Sequence, residues 1–249
     1  MTRILLSGCN GKMGRVIARC VKEREDCEIV AGVDLNTDGC DFPVFTSIAD
    51  CDVSVDVVID FSHPSCLISI LEYCRANKVP AVIATTGLTK EQVTLIHAAS
   101  TVIPVFFSAN MSIGVALLSA LAQKAALVLG NGFDIEIVEK HHNQKLDAPS
   151  GTALMLADAI KGVREGESEY VYERHSVRQK RQPAEIGISS VRGGTIVGEH
   201  EVIFAGHDEV ISLTHTAQSK EIFAVGSINA ALFLQGRAPG CYAMADMMK

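Results

Sequence analysis

The segment Arg3–Ser7 (RILLS) is a short apolar run, and from Met13 onward the apolar positions fall at Met13, Val16, Ile17, Cys20 and Val21, the spacing of one helix face. The pattern predicts a strand, a turn and a helix. A second strand follows over Glu28–Val33, and a third over Val55–Phe61, whose run VDVVIDF suits a sheet covered on both faces. His63 and Pro64 open a helix to about Asn77, and Pro80–Thr85 is the next strand. Thr89 caps a helix through Ala98, with Glu91 and Gln92 near its start, before another strand over Val102–Phe107. Strand and helix thus alternate over about the first 107 residues, which predicts an α/β fold of Rossmann type, a doubly wound parallel sheet. In such sheets ligands sit at the carboxyl ends of the strands, so Phe61–Pro64, Ala84–Gly87 and Ser108–Met111 are expected to line a cofactor cleft. His63 is assigned instead to the start of its helix.

The pattern changes near Ser108–Ser112. Ser112–Leu129 reads as a helix of small apolar residues, almost entirely buried, and Asp134–Glu139 as a strand. Ser150–Ile160 has an apolar face of Ala153, Leu154, Leu156, Ala157 and Ile160. Val163–Pro183 is poorly periodic and carries Arg174, His175, Arg178, Lys180 and Arg181; it reads as a solvated loop, with a lid over an anionic substrate as the other reading. Strand-like runs follow at Ala184–Val191, Thr195–Phe204 and Val210–Thr216, and Arg192-Gly193-Gly194 signals a hairpin between the first two. The last helix is expected over Lys220–Gln235, followed by a Met-rich tail. The second half is therefore an α+β unit with an antiparallel or mixed sheet. Covering its open face with copies of itself is a route to a symmetric oligomer.

Composition narrows the function classes. The chain has 249 residues, 48% of them hydrophobic, enough for one large domain or two modest ones. A net charge of −7 argues against a nucleic-acid partner. The eight cysteines form no Cys-x-x-Cys pair and read as small core residues in a reducing compartment. Charged residues are expected to interrupt every apolar run before the ~18 residues of a membrane helix, so a cytoplasmic protein is expected.

Two stretches carry candidate chemistry. Gly8, Gly11 and Gly14 lie where the first strand meets the first helix, and Asp34 lies at the end of the second strand, near the distance at which an acid meets an adenosine ribose. Helix N-terminal amides are donors with a positive dipole end, and glycine lets a pyrophosphate approach them. Asn10 stands where the usual fingerprint has its second glycine. The other stretch, Glu136–Thr152 (EIVEKHHNQKLDAPSGT), crowds histidines, lysines and carboxylates ahead of a Ser-Gly-Thr helix start. Adjacent histidines on an extended segment point apart, and no metal-ligand spacing is present, so no metal is assigned. Imidazole titrates near neutrality and a lysine beside it can pass a proton, whereas the helix start favours an anion such as a carboxylate. Asp147 reads as a helix-start residue.

The run EKHHNQKLDAPSGTA resembles the signature of the dihydrodipicolinate reductase family. GCNGKMG, DFSHP, ATTG, FSANMSIGV, VRGGTIVGEH and SKEIFAVGSINAALFLQGRAPGCY extend the resemblance over nearly the whole chain. The resemblance implies a dinucleotide-binding domain over 1–111 and 220–249 and an inserted substrate-binding and tetramerisation domain over 112–219. It implies NAD(P)H-dependent reduction of 4-hydroxy-tetrahydrodipicolinate, a small cyclic dicarboxylate, in lysine and diaminopimelate biosynthesis by a homotetramer. Matched residue by residue, His141 resembles the family's proton donor and acceptor and Lys145 its proton donor. His142, Gly151 and Thr152 resemble substrate-binding positions. Gly8, Cys9, Asn10, Gly11, Lys12, Met13, Asp34, Ala84, Thr85, Thr86, Ser108, Ala109, Asn110 and Met111 resemble nucleotide-binding ones. Leu35 follows Asp34 where some members have a basic residue, so NADH is expected to be preferred or both cofactors tolerated, with Lys12 the only nearby cation for NADPH. Two rivals stand beside this reading. One is another Rossmann oxidoreductase of a small carboxylate; the other is a non-catalytic NAD(H) sensor, which leaves the His-His-Lys cluster without a task.

Overall fold

The computed structural model describes residues 1–249. In chain order the elements are β1 (Thr2–Ser7), α1 (Lys12–Lys22), β2 (Cys27–Val33), β3 (Val44–Phe45), β4 (Val57–Asp60), α2 (Leu67–Asn77), β5 (Ala81–Ile83), α3 (Lys90–Ser100) and β6 (Pro104–Phe107). They continue with α4 (Ile113–Leu129), β7 (Asp134–His141), α5 (Gly151–Lys161), β8 (Glu169–Val171), β9 (Glu185–Arg192), β10 (Gly198–Ala205), β11 (Val210–Ala217), α6 (Glu221–Phe233) and β12 (Gly240–Tyr242). The chain forms two compact units, Met1–Ser112 with Lys220–Lys249, and Ile113–Ser219.

The first unit is built on a seven-stranded sheet in the order β12-β6-β5-β4-β1-β2-β3, with every pair parallel. Its central strands are buried on both faces, from Ile4, Leu5 and Leu6 to Val57, Val58 and Ile59, as near-continuous apolar runs demand. The α3 helix starts in a capping box, Thr89 accepting from the Gln92 N–H while the Gln92 side chain accepts from the Thr89 N–H. His63 does sit at a helix start, its Nδ1 accepting the Ser65 N–H. The Met-rich tail is not featureless: β12 adds an edge strand beside β6, and Met244–Met248 is a 3-10 turn.

The second unit carries a mixed five-stranded sheet in the order β11-β10-β7-β9-β8. The hairpin expected at Arg192-Gly193-Gly194 does not form, because β7 lies between β9 and β10, parallel to the first and antiparallel to the second. The β7 strand alternates strictly, with Ile135, Ile137, Glu139 and His141 buried, so it fits the centre of the sheet, where both its edges are paired. The expectation of a nearly all-buried α4 also fails. Only Val115, Leu118, Ala122 and Ala126 are buried, while Leu117, Leu121 and Val128 are exposed. Ile113–Gly132 is long and apolar enough to cross a bilayer by length and composition, since Lys124 alone does not break it. Its inner face nonetheless joins the unit's core with Leu156, Ile160 and Phe204. The basic segment is likewise less free than a solvated loop. Part of it is β8, and Arg174 and Arg181 are paired with Asp134, Glu136 and Glu185.

Candidate active site

In the second unit, the period of two along β7 turns Glu139 and His141 to the same buried face as Ile135 and Ile137, so an apolar stripe ends in two polar side chains. Glu139 is fully buried and every contact to it is a donor. His141 Nδ1 lies 2.6 Å from Oε2, the Ser150 N–H donates to Oε1 at 3.1 Å, and the Arg192 guanidinium donates to both oxygens at 2.7 and 2.8 Å. Burial opposes the charge on Glu139, but the hydrogen bonds from Arg192, Ser190 and His141 outweigh it and bring the carboxyl to about 2. His141 is held below its ordinary pKa, chiefly by burial; Glu139 pulls it back up, while Lys145 and Arg192 push with burial.

The neighbouring strands complete the arrangement. On β10, His200 stands opposite Glu139; its ring meets that of His141 edge-on at 5.2 Å, and its Nε2 is 3.0 Å from Ser150 Oγ. Ser150 Oγ already accepts the Ala153 N–H as the cap of α5, so its hydroxyl proton is left to donate to His200. Burial brings His200 down to about 4, leaving a neutral ring. A Cβ on Gly198 would lie 3.1 Å from His141 Nε2, so the glycine keeps that nitrogen uncrowded. Lys145 Nζ pairs with Asp147 at 2.8 Å within the connection from β7 to α5. Asp147 is lowered first by Lys145 and also takes a hydrogen bond from the Gly151 backbone, as befits a helix-start residue. At Gly151 a Cβ would meet nothing within 4 Å, so the start of α5 opens onto space. His142, next to His141 on the chain, is half-buried and lies off this face.

In the first unit, Gly8 has a φ of +78°, and a Cβ on Gly14 would stand 2.1 Å from the Gly8 carbonyl oxygen, so the turn and helix can close only with glycine at both places. Gly11 caps α1 without any side-chain hydrogen bond, leaving the first-turn amides to a ligand. This fits a dinucleotide pyrophosphate. Asp34 comes to the turn: its Oδ2 accepts the Asn10 N–H at 3.0 Å and its Oδ1 the Asn36 N–H at 3.2 Å. The Asn10 side chain is itself a clamp, donating to the carbonyls of Asn36 and Asp38. Lys12 is not the only cation nearby, since Arg15 donates to the Asn10 carbonyl and lines a pocket with Cys9, Asn10, Arg19 and Lys22.

Not every matched position presents its side chain outward. Cys9 is buried, its thiol pushed up to about 12 first by burial and then by Cys40. Thr85 turns inward to Asp60 at 2.6 Å, and Met111 is buried; their backbones remain at the strand ends beside Ala84 and Thr86. Ser108 and Asn110 form a local turn around Ala109, with Ser108 Oγ donating to the Asn110 carbonyl at 2.6 Å. Met13, in the first turn of α1, is half-buried. Glu139, Arg192 and His200 have no role in the sequence pattern described above. The i, i+2 spacing of Glu139 and His141 on one strand face was the available signal for the first, and none marks the cross-strand approach of the other two.

A parallel nucleotide-binding sheet joined to a mixed-sheet unit bearing a His–Glu pair beside a lysine defines a two-unit oxidoreductase of the α/β class. Residues 2–111 match the model described as "Dihydrodipicolinate reductase, N-terminus" and 114–248 the one described as "Dihydrodipicolinate reductase, C-terminus". A 4-hydroxy-tetrahydrodipicolinate reductase of Caldanaerobacter subterraneus subsp. tengcongensis is 53% identical over 249 residues, covering 100% of this chain and 99% of that one. One from Clostridium tetani is 52% identical, covering 100% and 97%. Among solved structures, a dipicolinate-bound dihydrodipicolinate reductase from Paenisporosarcina sp. TG-14 superposes with a TM-score of 0.81 at 29% identity, covering 98% of this chain and 97% of that one. The chain belongs to the dihydrodipicolinate reductase family.

Proposed function

We propose that the chain reduces 4-hydroxy-tetrahydrodipicolinate to tetrahydrodipicolinate in lysine and diaminopimelate biosynthesis, with NADH preferred over NADPH, as a homotetramer. The observation that carries the reading is the meeting of His141, Lys145 and the open start of α5 around one strand-to-helix connection. Relatives about half identical over their full length are 4-hydroxy-tetrahydrodipicolinate reductases, and the Paenisporosarcina relative holds a dicarboxylate.

When bound, the nicotinamide would supply a hydride: loss of the 4-hydroxyl as water leaves a ring C=C bond conjugated with the C=N, and hydride and a proton add across that C=C bond while the C=N is kept. His141, with Nδ1 engaged by Glu139, offers Nε2 as proton donor and acceptor as water is lost. Lys145 supplies a proton, and the cations and the positive end of α5 at Gly151 and Thr152 receive carboxylates, with His142 as a further contact. In the first unit, Gly8, Asn10, Gly11 and Met13 shape the pyrophosphate seat, and Asp34 accepts ribose hydroxyls. Its charge disfavours a 2′-phosphate, while Lys12 and Arg15 set how far NADPH is tolerated.

Oxidation of NADH and of NADPH, followed by absorbance with freshly made substrate, tests both levels. His141→Ala and Lys145→Ala are expected to lower turnover roughly 10²–10⁴-fold with cofactor affinity little changed. Wild-type turnover in both variants would remove the role assignments, and a strong NADPH preference would overturn the cofactor preference.

A further inference from the structure

Glu139 joins the two parts of the site through its two oxygens. Oε2 takes the proton on His141 Nδ1, and Oε1 takes the backbone N–H of Ser150, the cap of the helix whose start is to receive a carboxylate. Arg192, from β9, grips both oxygens and also donates to the Asp147 carbonyl at 2.7 Å, which ties the connection between the two parts to the same pair. The hydrogen bonds to Glu139, and that from Ser190 among them, all run into the carboxylate, so no neutral side chain of this shape satisfies them: an amide would turn its NH2 toward another donor. Such a buried, fully donated charge holds its neighbours in fixed register.

Resting on the role given above to His141, we propose that Glu139, clamped by Arg192, is a positioning residue for the reaction, holding His141 with Nε2 open and setting the start of α5 in register with it. The tautomer follows from the geometry. With Nδ1 donating, the ring keeps its lone pair on Nε2, the nitrogen beside Gly198. Charged and titratable groups approach His141 from each neighbouring element: Glu139 on its own strand, Lys145 on the connection after it, Arg192 on β9 and His200 on β10. Glu139 favours the imidazolium, whereas Arg192 disfavours it. Removing one or the other must therefore move the titration of His141 in opposite directions, which a role limited to holding the fold does not produce.

The test compares Glu139→Gln, Arg192→Gln, His141→Asn and the double variant Glu139→Gln/His141→Asn in the full chain. Readouts are kcat and KM, the pH profile of kcat/KM, and binding of NADH and of dipicolinate. The His141 inflection is the one that vanishes in His141→Asn. Glu139→Gln is expected to lower kcat roughly 10- to 100-fold, at or below the usual share of one acid-base group. It should also weaken dipicolinate binding and leave NADH binding unchanged. The inflection should fall in Glu139→Gln and rise in Arg192→Gln, and the double variant should be no slower than His141→Asn. A wild-type kcat with an unmoved inflection in Glu139→Gln overturns the proposal, as do shifts in the same direction or a further loss in the double variant. His141→Asn turning over like the wild type overturns the role of His141, and the proposal with it. A slow His141→Asn beside an unaffected Glu139→Gln overturns the proposal alone. Should Glu139→Gln fail to fold, Arg192→Gln reads the same coupling, and an unmoved inflection there overturns it.

Discussion

His200 shows how one buried ring ties acid sensitivity to the site. It is 4% exposed, accepts from Ser150 Oγ and sits edge-on to His141, so protonating it breaks a capping contact and places a second cation beside the first. Its folded pKa, about 4, lies below the ordinary 6.5, so the unfolded chain binds the extra proton first. Stability from this group is therefore complete above pH 6.5 and is lost as the pH falls toward 4. The shift corresponds to roughly 3 kcal/mol at most. Glu139 acts in a lower window: its carboxyl is depressed, so its contribution is present above its ordinary pKa near 4.5 and fades toward about 2. Urea unfolding of the wild type and of His200→Gln at several values between pH 7.5 and 4.5 separates the two. The variant is expected to start less stable but to lose less on acidification, and parallel curves would remove His200 as the cause.

At the scale of elements, a helix held at close range explains a glycine that helix propensity disfavours. Gly226 lies in the middle of α6, where a Cβ would stand 1.7 Å from the Met111 carbonyl oxygen. The helix therefore lies directly on the turn after β6 that carries the candidate nucleotide positions Ser108 to Met111. Gly226→Ala gains helix propensity but meets backbone that cannot rotate away, and overpacking of this kind costs about 1–3 kcal/mol. We expect a lower melting temperature and weaker NADH binding, with dipicolinate binding preserved; a variant as stable as the wild type and equal in NADH affinity would sink the argument. Elements whose burial shows in their own spacing were legible in the sequence. The parallel strand at Val57–Asp60, the capped start at Thr89 and the helix from Ser150 follow the sequence pattern close to their observed bounds, although the cap of that last helix is Ser150 and not Asp147. Pairing order was not. Arg192-Gly193-Gly194 carries a local hairpin signal, and nothing local reveals that β7, distant in sequence, occupies the place between the two strands. The same limit applies to the site: His141 and Lys145 lie in one crowded stretch, whereas Arg192 and His200 reach Glu139 only through strand order and register. The outer face of α4 was misread for another reason, since small apolar residues all round a helix do not reveal which side is covered.

At the scale of the whole chain, the last thirty residues return to complete the unit that the first 112 residues begin. The α6 helix packs on α1, β4 and β5, and β12 pairs parallel with β6, covering what is otherwise a sheet edge. Three rings fasten this return: Phe233 meets Phe106 edge-on at 6.2 Å and Tyr242 at 5.7 Å, while Arg237 lies over the Phe233 ring at 4.1 Å. Edge-on pairs of this kind contribute about 0.5–1.5 kcal/mol each beyond their burial. The second unit has its own core, from Leu118 and Ile137 to Phe204, and does not draw on these contacts. Truncation after Arg237 removes β12, Tyr242 and Met244 but leaves α6 whole. It is expected to lower the stability of the nucleotide-binding unit and its affinity for NADH, and Tyr242→Ala should do so to a lesser degree. Hydrogen exchange should then rise in β5 and β6 while the amides of β7 and β10 keep their protection. Equal loss of protection in both units would show that the returning segment stabilises the chain as a single cooperative body, and unchanged exchange in β6 would show that the edge needs no cover.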